Sequence, residues 1–169
     1  MESQDFLLNE EETRIWRSWL FGFEYMEALI NRALQKHGID SSEYRVLALL
    51  SESPEQRLRM SDVANGVNRT PSRLSHMVTR METRDLVERQ PAPTDRRGAF
   101  LVLTANGKKV LDEAVIEHAV LVRQAFIDVV GVRDFNAVGR AMGKVLQTSM
   151  PEQSRRVGAQ MWGWWPTIR

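Results

Sequence analysis

The chain has 169 residues and no cysteine. A chain of this length can bury a substantial core, and the lack of cysteine excludes disulfides, thiolate metal sites and thiol-based redox sensing. Its first residues are acidic rather than basic and then apolar, and the sequence contains no apolar run long enough to span a bilayer. We therefore expect a cytoplasmic protein without a membrane partner.

The charges are distributed unevenly along the chain. Residues 1–56 carry five Lys and Arg against eleven Asp and Glu, whereas residues 57–109 carry eleven against five. The overall net charge of +1 argues against strong binding to a polyanion, but the local excess of +6 in the middle third argues for it. The middle third is therefore the predicted surface for nucleic acid, and the acidic first third should keep other faces away from it.

The N-terminal part of the chain predicts one long helix over residues 10–37. This stretch contains no proline and a single glycine, its apolar residues recur at helical spacing, and Gly38 is the expected stop. The apolar stripe is unusually wide, so it needs more than one neighbour, and a second copy of the chain could be one of them. The aromatic residues of this helix are Trp16, Trp19, Phe21, Phe23 and Tyr25.

Shorter elements follow. Asp40 and Glu43 have the spacing of a capping box and should open a second helix. Residues 57–60 predict a short strand that could pair with a later one, and Ser61 is the expected N-cap of a short helix over residues 62–67. The predicted helix that follows, over residues 71–84, says most about function.

The segment 71–84 predicts an amphipathic helix with an unusual polar face. Thr70 is a suitable N-cap, and Pro71 occupies the first helical position, where no backbone donor is lost. The face opposite the apolar stripe combines hydroxyls with cations, which suits base edges and phosphates better than it suits plain solvent, because a solvated helix usually mixes Glu with Lys. The residues expected to contact DNA are Ser72, Arg73, Ser75, His76, Thr79 and Arg80.

The pattern then changes to that of two strands. Residues 86–89 and 99–103 are β-prone, and the proline-containing segment 91–95 between them predicts a turn. Two adjacent cations, Arg96 and Arg97, follow this segment. Its expected DNA contacts are Asp95, Arg96 and Arg97.

The C-terminal part predicts two further helices. Thr104 should cap a long helix that Gly131 ends, and Asp134 should cap a last helix that runs to residue 149. The remaining segment, 151–169, contains three tryptophans near its end. Three interpretations of this tail are open: it clamps across a dimer, it covers a pocket, or it contacts nothing.

The central motifs resemble those of the MarR family of bacterial transcription regulators. Asp95-Arg96-Arg97-Gly98, followed by Leu103-Thr104-Ala105-Asn106-Gly107, is similar to the family's wing signature. Residues 86–89 resemble the strand that enters the wing, and residues 63–70 resemble the first two helices of the helix-turn-helix. Two positions depart from the family pattern: Asp85 stands where the family usually has glycine, and His76 stands where arginine is common.

The resemblance implies a mainly α fold with a small β wing. A winged helix-turn-helix lobe over residues 41–107 would be flanked by an N-terminal dimerisation helix, 1–40, and by C-terminal dimerisation helices with the tail, 108–169. A homodimer would bind a palindromic operator on double-stranded DNA, as a repressor involved in a stress response, with its two recognition helices about 34 Å apart. Arg97 would then reach the minor groove, and Asp95 would orient it through a salt bridge.

The family often binds phenolic or aromatic anions, so the resemblance also implies a small aromatic or phenolic effector. The candidate residues for its cleft are Trp16, Trp19, Phe23 and Tyr44. The other open interpretation is that these residues belong to an ordinary core and dimer interface, where aromatic side chains are common.

The sequence contains no arrangement of residues typical of an enzyme, a cofactor site or a metal site. The three histidines, His37, His76 and His118, lie on different predicted elements, and neither a nucleophile motif nor a glycine-rich phosphate loop is present. Two classes of function remain: a dimeric DNA-binding regulator and a winged-helix module that binds proteins instead of DNA. The concentration of cations in the middle third favours the first.

Overall fold

The computed structural model describes residues 7–92 and 95–150, with side chains for all of these except 95–97. The described part forms six α-helices and a three-stranded sheet. The elements are α1 (Glu10–Gln35), α2 (Ser41–Ser51), a 3-10 turn (Pro54–Gln56), β1 (Arg57–Arg59), α3 (Met60–Gly66), α4 (Pro71–Glu82), β2 (Val87–Ala92), β3 (Asp95–Leu103), α5 (Ala105–Val122), a π-helical segment (Arg123–Ile127) and α6 (Asp128–Ser149). The prediction of a mainly α fold with a small β wing and long flanking helices is confirmed.

Side-chain caps fix the beginnings of the helices that the sequence predicted best. The Asp40 carboxylate accepts hydrogen bonds from the backbone N–H groups of Ser42 at 2.8 Å and Glu43 at 2.9 Å, and the Glu43 carboxylate accepts from the backbone of Asp40 in return. The Thr70 hydroxyl caps α4 by accepting from the Arg73 backbone N–H at 3.4 Å. Both predicted caps are confirmed, because each depends on residues within one turn of the chain.

The beginning of α3 and the bounds of the wing turn were predicted wrongly. The helix begins at Met60 without a side-chain cap, so Ser61 lies inside it, because β1 pairs with β3 up to Arg59 and runs directly into the helix. The predicted turn over residues 91–95 is shorter: Pro91 belongs to β2, and β3 begins at Asp95. Proline is tolerated there because the strand order β1-β3-β2 leaves β2 at an edge of the sheet.

Among the places where the backbone has a positive φ, three concern turns that the sequence bears on. Gly38 (φ 73°) follows α1, which ends slightly before the predicted residue 37, and Gly131 (φ 76°) interrupts the helical path where the sequence predicted a stop. Asp85 is the third, with φ 53°, in the turn that follows α4. The turn that the family usually builds with glycine is therefore present here with an aspartate, a residue type that tolerates the left-handed region.

The hydrophobic core lies in the central lobe, which we define as residues 33–114. The apolar stripe of α4 is buried, as predicted from its spacing, and it packs with α2, α3, α5 and the sheet. The largest fully buried side chains are Leu34, Val46, Leu47, Leu49, Leu50, Val63, Leu74, Val78, Met81 and Leu101. This core holds α4 with its polar face directed outward.

The terminal helices, α1 and α6, differ from the helices of the central lobe, because most of their apolar faces are exposed to solvent. Trp16, Phe21 and Phe23 of α1 and Val132 of α6 are each more than half exposed. Phe126 and Phe135 contact each other edge to face at 5.9 Å, which joins α6 to the segment before it. In the described part of the chain, no helix is both long and apolar enough to cross a membrane.

Candidate nucleic-acid interface

The polar face of α4 is the centre of the candidate interface. Its four apolar residues point into the core, so the rest of the helix surface is left to solvent. Every residue that the sequence predicted to contact DNA from this helix is exposed: Ser72, Arg73, Ser75, His76, Thr79 and Arg80. The helix therefore presents hydroxyls, an imidazole and two guanidinium groups on one accessible side.

Three arginines and the beginning of α2 surround a small cleft at one edge of this face. Arg73 and Arg80 of α4 line the cleft together with Arg69 of the preceding turn, and Asp40, Ser42 and Met77 complete it. Arg69 donates a hydrogen bond from Nη2 to the Ser42 hydroxyl at 2.9 Å, which fixes the guanidinium beside the N-terminus of α2. The combined charge of the arginines suits a phosphate group.

Arg69 was missed by the sequence reasoning. Its contact with Ser42 joins residues 27 positions apart, and only the folded chain brings them together. The available signal was its place in the basic middle third, directly before the N-cap of α4.

Arg89 of β2 is a second residue that the sequence reasoning missed. Its guanidinium crosses from the wing to α4 and donates to the Ser75 carbonyl at 2.8 Å, to the Ser75 hydroxyl at 3.3 Å and to the Thr79 hydroxyl at 3.3 Å from each of two nitrogens. It also pairs with the Glu82 carboxylate. Arg89 therefore joins the wing to the middle of the predicted recognition face.

The wing is the hairpin of β2 and β3, and β1 pairs with the other side of β3. The guanidinium carbons of Arg57 and Arg59 lie 5.2 Å and 5.4 Å from the centre of the Phe100 ring, within range of a cation–π interaction. The backbone of 95–97 belongs to β3, but the side chains of the predicted wing contacts Asp95, Arg96 and Arg97 lie outside the described residues.

The Leu103-Thr104-Ala105-Asn106-Gly107 motif holds the turn between α4 and the wing. Thr104 caps α5 by accepting from the Gly107 N–H at 2.9 Å, and its hydroxyl donates to the Asp85 carbonyl at 2.6 Å. Asn106 donates to the Arg84 carbonyl at 3.1 Å. A Cβ at Gly107 would lie 2.0 Å from the Leu86 carbonyl oxygen, so the close approach of α5 to this turn requires glycine.

A salt bridge joins the same C-terminal end of α4 to the beginning of α2. The Arg84 guanidinium donates to the Glu43 carboxylate and to the Gly38 carbonyl. Glu43 is only 4% exposed, so its carboxylate has little contact with water and takes its hydrogen bonds from Arg84 and from the backbone of Asp40. The C-terminal end of α4 is therefore anchored to the loop between α1 and α2 as well as to the wing.

The predicted ligand-binding residues fall into two separate places. Trp16 and Trp19 line an apolar depression on α1, together with Met142 of α6, and Phe23 stacks on Trp19 with ring centres 6.2 Å apart. Tyr44 does not line this depression and instead contacts α5. The structure thus groups three of the four candidates and separates the fourth.

Tyr44 stacks on His118 of α5 with ring centres 4.8 Å apart, and its hydroxyl lies 3.5 Å from His118 Nδ1. Burial lowers the pKa of His118, an effect that the nearby Glu27 carboxylate partly opposes. Burial also raises the pKa of Tyr44, with Glu52 adding to the effect. Both side chains are therefore kept neutral at the junction of α1, α2 and α5.

A shallow groove between α1 and α5 carries a further ionic contact. Glu117 pairs with Lys36, and its Oε2 lies 2.9 Å from His37 Nε2. The hydrogen bond to Lys36 lowers the pKa of the Glu117 carboxyl most, and the hydrogen bond to His37 lowers it further. Within the described residues, no three His, Asp or Glu side chains group closely enough to hold a metal ion.

Comparisons with known proteins agree with this geometry. The profile of the MarR family matches residues 37–98. Sco3205 from Streptomyces coelicolor, a MarR family transcriptional regulator solved in complex with DNA, is 35% identical, with a TM-score of 0.84 over 90% of this chain and 96% of that one.

Two further relatives are more distant. MhqR of Bacillus subtilis, an HTH-type transcriptional regulator, is 29% identical over 53% of this chain and 61% of MhqR, so the matched region spans less than two thirds of that protein. NadR, solved in complex with 4-hydroxyphenylacetate, is 24% identical, with a TM-score of 0.64 over 86% of this chain and 97% of that one. At that identity the likeness concerns the fold.

Proposed function

Because the chain belongs to the MarR family and is a DNA-binding transcription regulator, we propose that it acts as a cytoplasmic homodimer that represses transcription from a palindromic operator. Members of this family are transcription regulators rather than enzymes. The observation that supports the proposal most directly is the exposed polar face of α4, with its adjoining cleft of three arginines.

The residues of this face have different roles in the proposal. Arg73 and His76 contact base edges in the major groove, where Arg is the commonest reader of guanine. Arg80 contacts a phosphate, and Arg69 joins it because the two line the same cleft. Arg97 of the wing enters the minor groove, whose narrow form attracts arginine, and Asp95 orients it.

These roles are separated by fluorescence anisotropy on a half-site library at several salt concentrations. Arg80→Ala should weaken binding to all sequences alike and reduce the salt slope by about one, whereas His76→Ala should lose about 1–3 kcal/mol of discrimination at particular bases.

Arg97→Ala should weaken binding at all sites with little change in melting temperature. Arg123→Ala, a charge-matched change on the exposed π-helical segment, is the control. Wild-type protein that binds no duplex would contradict the proposal.

The uncovered faces of α1 and α6 support the homodimer. A second copy of the chain would cover apolar side chains such as Phe21 of α1 and Val132 of α6, which are more than half exposed, and it would place two copies of α4 on successive major grooves. The palindromic operator follows from that two-fold symmetry.

We further propose that a small aromatic or phenolic effector binds against α1 and releases the DNA. The apolar depression at Trp16 and Trp19, with Phe23 stacked beside it, supports an aromatic ligand. NadR, a relative in fold, was solved with a phenolic acid. Tyr44 is the polar candidate at the neighbouring junction of α1, α2 and α5. Titration of 4-hydroxyphenylacetate into the protein–DNA complex tests this proposal. If the anisotropy of the labelled DNA did not change, that compound would be excluded as the effector.

A further inference from the structure

The hydrogen bonds of Arg89 determine what the recognition face offers to DNA. The guanidinium of Arg89 donates to the Thr79 hydroxyl from both Nη1 and Nη2, at 3.3 Å each. The same hydroxyl donates its own proton to the Ser75 carbonyl at 3.0 Å. A threonine hydroxyl has one proton to donate and two lone pairs to accept with. All three are used, so the polar atom of Thr79 has no capacity left for a base.

The methyl group of Thr79 is the part of this side chain that remains available. Thr79 is exposed on the same side as the proposed base-contacting residues. A threonine methyl makes an apolar contact with the C5-methyl group of thymine in the major groove.

Ser75 is restricted in a different way. Its hydroxyl oxygen accepts from Arg89 at 3.3 Å, and its carbonyl is occupied by Thr79 and Arg89. By the same count Arg89 uses one lone pair of the Ser75 hydroxyl, which keeps its second lone pair and, among the described residues, a proton without an acceptor. Ser75 can therefore donate to N7 or O6 of guanine, N7 of adenine or O4 of thymine, and it can also accept from an exocyclic amine.

Glu82 keeps Arg89 in this position. Its carboxylate pairs with the Arg89 guanidinium and also accepts from the Arg89 backbone N–H at 3.0 Å. Both side chains are less than one third exposed, so the pair is partly shielded from water. The orientation of the guanidinium is therefore set from within the protein before DNA arrives.

We propose that Arg89 is a specificity-determining residue that acts through α4: it commits Thr79 to a methyl contact with thymine and occupies one of the two lone pairs of the Ser75 hydroxyl. This inference rests on the proposed DNA-binding function and assigns base preferences within it. Arg89 itself is a positioning residue in this arrangement.

The test removes single methyl groups from the DNA. The duplex of highest affinity is selected from a randomised library with wild-type protein, and each thymine is then replaced in turn by deoxyuridine. Loss of one buried methyl should weaken wild-type binding roughly fourfold at one position of each half-site. Thr79→Val keeps a methyl and removes the hydroxyl, so it should keep this sensitivity. Thr79→Ser keeps the hydroxyl and removes the methyl, so it should lose the sensitivity.

A second variant tests Arg89. Arg89→Lys keeps the charge and the reach to Glu82 but cannot hold both hydroxyls with a planar fork. It should lose the deoxyuridine sensitivity, with an unchanged salt slope. A purely structural role would instead lower the melting temperature and weaken all duplexes equally.

The outcomes separate this inference from the function on which it rests. Wild-type protein that selects no duplex contradicts the DNA-binding function itself. Wild-type protein that selects a duplex but tolerates deoxyuridine everywhere, or a Thr79→Val variant that behaves like Thr79→Ser, overturns the inference and leaves that function intact.

Discussion

The central lobe and the terminal helices, α1 and α6, differ in how much of their apolar side-chain surface is exposed to water. In the central lobe, α2, α3, α4 and the sheet bury leucine, valine and methionine side chains almost completely. The first two thirds of α1 and most of α6 leave large apolar side chains exposed. The described residues complete the core of the lobe, whereas they leave the apolar faces of the terminal helices uncovered.

This difference separates two tasks. In the proposed function the lobe needs a rigid core because its polar face meets DNA in a fixed geometry. Arg84 and Arg89 restrain α4 relative to its neighbours, and Gly107 lets α5 lie close to the turn that follows α4. The terminal helices can place two such lobes at a fixed spacing only if their apolar surface is shared between chains.

The largest expected effect comes from breaking the terminal helices. We expect the double variant Ile15→Glu/Val132→Glu, which places charges at two exposed apolar positions of α1 and α6, to be monomeric and to bind the operator on the order of 10³-fold more weakly, because two linked half-sites act together. Light scattering and anisotropy measure the two quantities. Ser18→Glu/Asn136→Glu adds the same charge at polar positions and is the control. A double variant that remains dimeric would show that these faces meet no partner.

The next effect concerns the central lobe. Gly107→Ala should lower the free energy of unfolding by about 3 kcal/mol, because the new Cβ would overlap the Leu86 carbonyl and the backbone would have to shift. The matched change in the terminal helices is Gly22→Ala, where a Cβ meets nothing within 4 Å in this chain. That variant should remain within about 1 kcal/mol of wild type. Urea titrations compare the two, and equal destabilisation would abolish the contrast between the regions.

The smallest expected effect is a dependence on pH where the two regions meet. Because burial lowers the pKa of His118 in the folded protein, the unfolded chain takes up a proton first as the pH falls. Stability should therefore be fully present above the ordinary histidine pKa of about 6.5 and should decline as the pH falls through that value towards the lower folded pKa.

Thermal melts between pH 8 and pH 5 check this dependence on pH. His118→Phe keeps a ring against Tyr44 and should flatten the decline, whereas His76→Gln removes an exposed histidine and should leave it in place. Glu117 adds a separate loss at lower pH, because its lowered pKa favours the folded state only while the carboxylate stays ionised. A His118→Phe variant with an undiminished decline would place the proton uptake elsewhere.

Local chemistry explains what the sequence predicted well. The caps at Asp40 and Thr70, the stop at Gly38 and the buried stripe of α4 all depend on residues within a few positions of one another. The burial of that stripe also placed the polar residues of α4 at the surface, so the exposed face could be predicted before the fold was known.

The residues that were missed depend on long-range contacts. Arg89 meets Ser75 across 14 positions and Arg69 meets Ser42 across 27, and no periodicity indicates such pairs. The beginning of α3 was predicted wrongly for a related reason, because the pairing of β1 with β3 decides where that helix begins. The contacts of Asp95, Arg96 and Arg97 stay predictions.

The edges of the small sheet bear on how the protein behaves at high concentration. An unpaired strand edge can recruit a strand from another molecule and begin aggregation. One edge here is β1, only three residues long and carrying Arg57 and Arg59, and the other is β2, where Pro91 removes a backbone donor. Charge, shortness and proline each oppose strand addition. The wing can therefore project from the lobe without templating the assembly of neighbouring wings into a continuous sheet.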